Sequence, residues 1–355
     1  MKKNGDYWRY WPGVVFAGII IGLALLLLIY GNVVLFHFPN TAQSSAPRQL
    51  SVTYPVPATT IIPVTESEQQ YPLSPTIPPV FRQSSDYDPV LGTMISQVNE
   101  SEIYHSTRDL QDFSTRRYPS PGNEKAAEYL FRRLAGIPGL ETAYQGTVKK
   151  NVIAILHGKE NTSNEVFIIG AHFDSDSTDP EHAPGATDNG CGVAAVLELA
   201  RVMSMHSYNH TIVFAFWNAE ESDAKGSIDY VTYAKKQSMN IPLYFNYDSS
   251  CYDPDNLNIL DVMYDERSEA AAALITRYNS EYAVNFSLTY NVHDCDSDHM
   301  SFWRGGYPVI MTHSPEHGDK VHTPDDTVDL ISPGYAKKNA QLGMLVLSRM
   351  AEIQE

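Results

Sequence analysis

Thiols and basic side chains are what this chain is short of. Its 355 residues include three cysteines, Cys191, Cys251 and Cys295. That is too few for a disulfide framework, and their spacing is not that of a thiolate metal site. One bridge plus a free thiol and three free thiols both remain open. Twenty-five Lys and Arg stand against 42 Asp and Glu, a formal net charge of -17. Nucleic acid binding needs a basic surface, so this balance excludes it as a function class. The acidity itself names no partner, because it also serves solubility. No internal repeat is present, and a hydrophobic content of 43% is enough for a sizeable core.

Charge is missing altogether from Val14 to Phe38, "VVFAGIIIGLALLLLIYGNVVLFHF". The run is long enough to cross a bilayer as a helix and longer than the apolar region of a cleaved secretory signal. It reads as an uncleaved anchor. Lys2, Lys3 and Arg9 precede it, together with Tyr7, Trp8, Tyr10 and Trp11 as an aromatic belt. The excess of positive charge places residues 1–13 in the cytoplasm and the remainder outside, as a single-pass protein of the cell membrane. Residues 39–89 carry ten of the 22 prolines among Ser, Thr and Gln. Such a segment builds no packed core and reads as an extended stalk. Residues 90–355 read as one globular domain.

Within that domain, continuous apolar strands alternate with helices. Strands are expected at "NVIAILHG", "EVFIIGAHFD", "TIVFAFW", "PLYFNYD" and "PVIMTHS", and helices at "NEKAAEYLFRRLAGI", "GVAAVLELARVM", "AKGSIDYVTYAKKQ", residues 269–282 and "GYAKKNAQLGMLVLSRMAEI". The pattern predicts an α/β fold, a three-layer sandwich with a mostly parallel central sheet flanked by helices. In such sheets the working site lies beyond the carboxyl ends of the strands.

At those ends stand groups able to bind a metal. "FIIGAHFD" closes with His172 and Asp174, "TIVFAFWNAEE" with Glu220 and Glu221, and "PLYFNYD" with Asp248. Asp188 in "PGATDNGCG" and His322 in "KVHTPDDT" join them from loops. Each has an ordinary structural explanation. A strand-end histidine is commonly hydrogen-bonded scaffold, Asp-Asn-Gly is a turn, and paired acids suit a helix start. Together they point to one edge of one sheet. Imidazole and carboxylate without thiolate suit zinc or another divalent metal. His172 and Asp174 share a face of an extended strand, so Asp174 can accept the free imidazole N–H of His172 and fix its tautomer. His322 has Asp325 or Asp326 for a similar pairing. Two cations would also explain adjacent glutamates, with Glu221 a ligand and Glu220 the base that takes a proton from water.

The order GAHFD, GATDNGCG, NAEE, NYD, SDH, HTPDDT resembles metallopeptidase family 28, the two-zinc aminopeptidases, whose fold is related to that of glutaminyl cyclase. The likeness runs from about Val90 to the C-terminus. It implies that His172 and Asp248 bind one zinc, Glu221 and His322 the other, that Asp188 bridges them, and that Glu220 is the general base. It also makes Asp188–Asn189 a candidate cis peptide bond. "DSDHMSFWRGGYPVI" resembles the family's pocket-lining stretch. Asp298 and His299 there either contact substrate or form a capped helix start, and His293 and Tyr290 are candidates for stabilising an oxyanion. The implied activity is hydrolysis of N-terminal peptide bonds, with peptide or protein N-termini as partners. A glutaminyl cyclase-like amidohydrolase and a non-catalytic ectodomain are the alternatives. Four N-x-S/T sequons, at Asn99, Asn161, Asn209 and Asn285, fit an extracellular domain.

Overall fold

A computed structural model describes residues 87–146, 150–159, 164–292, 296–316 and 318–354. The anchor expected at residues 14–38 and nearly all of the expected stalk lie outside these, as does His293. Among the described residues no helix is long and apolar enough to cross a membrane.

The chain enters through α1 (Pro89–Gln97), which begins inside the segment read as stalk. It continues through α2 (Glu100–Gln111) and α3 (Pro121–Ala135). Side chains start all three helices: Asp88 accepts from the Val90 amide, Asn99 from Ser101 and Ser120 from Asn123. Each satisfies an amide that the first helical turn leaves without a partner. Strands β1 (Leu140–Gln145), β2 (Asn151–Leu156) and β3 (Val166–His172) follow, then α4 (Cys191–Met203). Next come the two-residue β4 (Ser207–Tyr208), β5 (Thr211–Trp217), α5 (Lys225–Lys236), β6 (Tyr244–Tyr247) and β7 (Ile259–Met263). The chain closes with α6 (Glu269–Glu281), β8 (Ser287–Asn291), α7 (Asp298–Arg304), β9 (Val309–His313), α8 (Pro333–Met350) and the short β10 (Ile353–Gln354).

Eight strands form one sheet in the order β1-β2-β5-β3-β6-β9-β7-β8, with β5, β3, β6 and β9 mutually parallel at its centre. Strand alternation explains the layers. Val152, Phe167, Ile169, Phe214, Phe216 and Phe245 pack on one face with α1 to α4, α6 and α8. Their neighbours Ile153, Ile168, Val213, Ala215 and Tyr244 pack on the other with Tyr230, Val231 and Ala234 of α5 and Phe302 of α7. Helices on both faces of a mostly parallel sheet are the expected architecture. The amphipathic α1 and α2, the part-exposed β1 and β8, and the buried β7, whose apolar run is broken by Asp261, were not read from the sequence. The parallel β3, β5 and β6 all end at the same edge.

Candidate metal centre

β3 runs out at His172, whose ring is 1% exposed. Its Nδ1 lies 3.2 Å from the carbonyl oxygen of Asp174. A carbonyl can only accept, so Nδ1 carries the hydrogen and Nε2 faces the opposite way. There it meets two carboxylates, Asp188 Oδ1 at 3.2 Å and Asp248 Oδ1 at 3.4 Å. The second oxygen of Asp188 lies 3.0 Å from His322 Nε2, which is itself 3.0 Å from Glu221 Oε2. Asp188 therefore stands between two imidazoles, each with a further carboxylate beyond it.

The adjacent glutamates follow from the turn that carries them. β5 ends at Trp217, and Asn218 anchors the reversal. Its amide donates to Asn151, and its side chain exchanges hydrogen bonds with Asn123. Ala219 takes a left-handed φ of 61°. The Asp174 carboxylate then accepts from the Glu220 amide at 3.0 Å and the Glu221 amide at 3.2 Å, one on each oxygen. With both backbone amides clamped, the side chains diverge. Glu221 reaches Asp188 and His322, while Glu220 lies among His172, Asp298 and Asp248. Asp174 was expected to fix the His172 tautomer through its carboxylate. Its carbonyl does so at closer range, the carboxylate oxygen standing 3.6 Å from Nδ1, because the carboxylate is taken up by the turn.

Asp326 likewise serves another purpose than the one expected. It does not pair with His322. Oδ1 accepts from the amide and hydroxyl of Thr187, and Oδ2 accepts from the Asp188 amide at 3.1 Å. Asp325 takes Lys320 instead, at 3.1 Å. His322 is held through its backbone, where its carbonyl accepts from the Thr178 amide. Its ring is half exposed and closes the solvent side of the cluster. The Asp188–Asn189 peptide bond is cis.

Electrostatics separate these groups. Burial raises Glu220 to about 10, with Asp298, Asp248 and Asp174 adding to the effect against His172. Burial and Asp188 raise Glu221 to about 7. Hydrogen bonds to Asp188 and Glu221 carry His322 up to about 11. Burial would lower His172, yet Asp248 and Glu220 hold it well above its ordinary value. Asp188 moves the other way: burial is outweighed by the two histidines, and its carboxyl is held below the usual range. The cluster thus concentrates negative charge that protons or another cation must offset.

A divalent metal fits these residues. Three sets of donor atoms converge within 4.8 Å: His172, Asp188 and Asp248; His172, Glu220 and Glu221; and Asp188, Glu221 and His322. Glu221 Oε1 is buried without a hydrogen bond, a costly state for a carboxylate oxygen unless a cation meets it. The donors are nitrogen and oxygen only, suiting zinc.

Other expected residues fall differently. Asp298 begins α7, fully buried, and burial raises its pKa to about 7. His299 beside it is also fully buried. Tyr290 lies on the edge strand β8 with its hydroxyl against Thr276 of α6, three strands away from β6. Two functional supports escaped the sequence reading. The Ser297 hydroxyl donates to Asp248 Oδ2 at 2.6 Å. Arg116 is fully buried and donates to the carbonyls of Phe173, Pro184 and Gly185, tying the His172 loop to the Asp188 loop. Burial lowers Arg116 to about 10 against four surrounding carboxylates. Nothing in "STRRYPSPG" separates Arg116 from Arg117, which lies on the surface. Gly185, at φ 50°, could not carry a Cβ, which would meet Ser175 and the Arg116 guanidinium.

Known proteins resemble this chain in sequence and in fold. A probable leucine aminopeptidase of Arthroderma otae is 26% identical over 300 residues, 80% of this chain and 81% of its own. Leucine aminopeptidase 1 of Coccidioides posadasii is 27% identical over 291 residues, 74% of each chain. Among solved structures, the LapA aminopeptidase of Legionella pneumophila superposes with a TM-score of 0.68 at 20% identity over 81% of each chain. A glutaminyl cyclase of Fimbriiglobus ruber shares the fold at a TM-score of 0.60 and 18% identity, covering 70% of this chain and 94% of its own. Residues 151–346, more than half of the chain, match the profile of Peptidase family M28. That span opens at β2 and takes in every strand end and loop that builds the cluster, and the chain belongs to Peptidase family M28.

Proposed function

We propose that this protein is a zinc-dependent aminopeptidase, anchored to the cell membrane with its catalytic domain outside. His172 and Asp248 would hold one ion, Glu221 and His322 a second, and Asp188 would be shared by both. Bound there, zinc acidifies a water and draws off the negative charge that develops on the attacked carbonyl. Glu220 takes a proton from the attacking water and returns it to the departing amine. Asp174 aims Glu220 by holding its backbone amide, Ser297 keeps one oxygen of Asp248 occupied, and Asp326 fixes Asp188. Asp298 and His299, fully buried at the start of α7, would shape the substrate side from behind its surface, and His293, outside the described residues, would be the oxyanion donor.

One observation carries this reading: the clamped Glu220–Glu221 turn sends one carboxylate to His322 and Asp188 and the other towards His172. A non-catalytic scaffold has no use for that divergence. The names of the two fungal relatives support aminopeptidase action. The uncharged run at residues 14–38 and the basic residues before it support the anchor. A disulfide between Cys191 and Cys251 suits an oxidising compartment.

The test uses the segment from Tyr87 onward with free and N-acetylated peptides, with and without a chelator, read by mass spectrometry. Stepwise shortening of free peptides alone, abolished by chelator and restored by zinc, is expected. Ammonia loss from N-terminal glutamine without shortening would indicate a cyclase instead, and cuts within both peptide sets would remove the exopeptidase assignment.

A further inference from the structure

The Cys191–Cys251 disulfide joins residues 60 apart in sequence, with a Cα–Cα distance of 6.4 Å. Its position relative to the metal cluster is regular. Cys191 lies three residues after Asp188, and Cys251 three residues after Asp248. Both are buried in the hydrophobic core. The bond therefore links the two loops whose carboxylates close on the same nitrogen, His172 Nε2, at 3.2 and 3.4 Å. A second tie joins the same loops, since Asn189 Nδ2 donates to the Tyr247 carbonyl at 2.8 Å. Glu221 and His322 depend on other supports: Asp174 holds the first and the Thr178 amide the second.

Two carboxylates aimed at one nitrogen repel each other, and loops free to separate would relieve that repulsion by moving apart. A covalent bond three residues behind each carboxylate limits that separation. The approach of Asp188 and Asp248 is then prepaid in the folded chain rather than charged against metal binding. We propose that the Cys191–Cys251 disulfide is a positioning element of the metal centre, acting selectively on the His172–Asp188–Asp248 position. The inference rests on the metal-binding reading above. It also makes loading of that position follow oxidation. Closing the bond removes two protons and two electrons from the thiols, and a disulfide-class oxidant takes up both and leaves as two thiols. A chain still reduced would bind its second zinc weakly until it reached an oxidising compartment.

The full chain, wild type and Cys191→Ala/Cys251→Ala, is titrated with zinc in competition with a chromogenic chelator. Glu221→Ala serves to assign the two binding steps. Wild type is expected to bind two equivalents. In the double variant the step that survives in Glu221→Ala should weaken by at least about 10-fold, while the other, which shares only Asp188 with it, should weaken clearly less. Equal weakening of both steps would overturn the proposal, as would unchanged zinc affinity beside a lowered melting temperature, which marks a staple of the fold alone. If the double variant does not fold, the wild-type chain is reduced by a phosphine, its thiols are counted, and zinc affinity is read before and after reoxidation. Selective loss and recovery is expected; full reduction with no change in affinity would overturn the proposal. A wild-type chain that binds no zinc would remove the metal reading itself, an outcome separate from all of these.

Discussion

Asp174 illustrates how much one side chain can decide. Its two oxygens accept from consecutive amides, those of Glu220 and Glu221. An asparagine has a single accepting oxygen, so Asp174→Asn leaves one amide facing an NH2 group. The turn then loses its aim although no metal donor and no base has been removed. Asp174→Asn is expected to lower kcat/KM by roughly 10–100-fold, in the range seen for residues that orient ligands, with little change in thermal unfolding. Steady-state kinetics beside a melting curve check this. The role was half legible. The two-residue spacing of His172 and Asp174 placed both on one face, but nothing local announced that the acceptor was needed 46 residues away.

Among the elements, the start of α4 shows where local propensity gives the wrong answer. Gly192 is helical, and alanine is favoured over glycine in helices by about 1 kcal/mol. A Cβ at Gly192, however, would stand 2.1 Å from Asn189 Oδ1. That side chain is buried and holds the Tyr247 carbonyl through its other end, so it has nowhere to retreat. Gly192→Ala is expected to destabilise the domain by about 1–3 kcal/mol, the usual cost of overpacking, and denaturant unfolding reads it directly. The central strands β3, β5 and β6 and the helices α3, α4, α5 and α8 were legible because continuous apolar runs and helical spacing mark them. Arg116, Ser297 and the Cys191–Cys251 pair were not. Arg116 acts through carbonyls 57 to 69 residues away, and a hydroxyl aimed at Asp248 looks in sequence like any serine. Their meaning exists only once the loops meet.

At the scale of the whole molecule, the cluster gathers buried carboxylates where their charge costs most. Folding raises Glu220 from an ordinary 4.5 to about 10, Glu221 from 4.5 to about 7 and His322 from 6.5 to about 11. A group with a raised folded pKa stabilises the fold fully below its unfolded value and loses that contribution as pH rises through its folded value. Without metal, the domain therefore grows less stable from about pH 5 upward, and Asp188, shifted the opposite way, matters only in acid. Zinc bound at the proposed site would replace the protons these groups hold, so its binding should strengthen over the same range. The gap in melting temperature between zinc-loaded and chelator-treated protein should widen from pH 6 to pH 8. A constant gap would mean that metal displaces no protons from this cluster. The same arrangement explains why the motifs were readable together when each was weak alone: strand ends far apart in sequence share one sheet edge, and carboxylates gather there only if a cation joins them.

The central claim divides two adjacent glutamates between two tasks, and one paired measurement separates them. Zinc content and peptide hydrolysis are determined for wild type, Glu220→Gln and Glu221→Ala. Glu220→Gln is expected to keep the full zinc content while kcat falls by roughly 10²–10⁴, the usual contribution of a general base. Glu221→Ala is expected to lose zinc together with activity. Full zinc occupancy in Glu221→Ala, or near wild-type turnover in Glu220→Gln, would contradict the assignment.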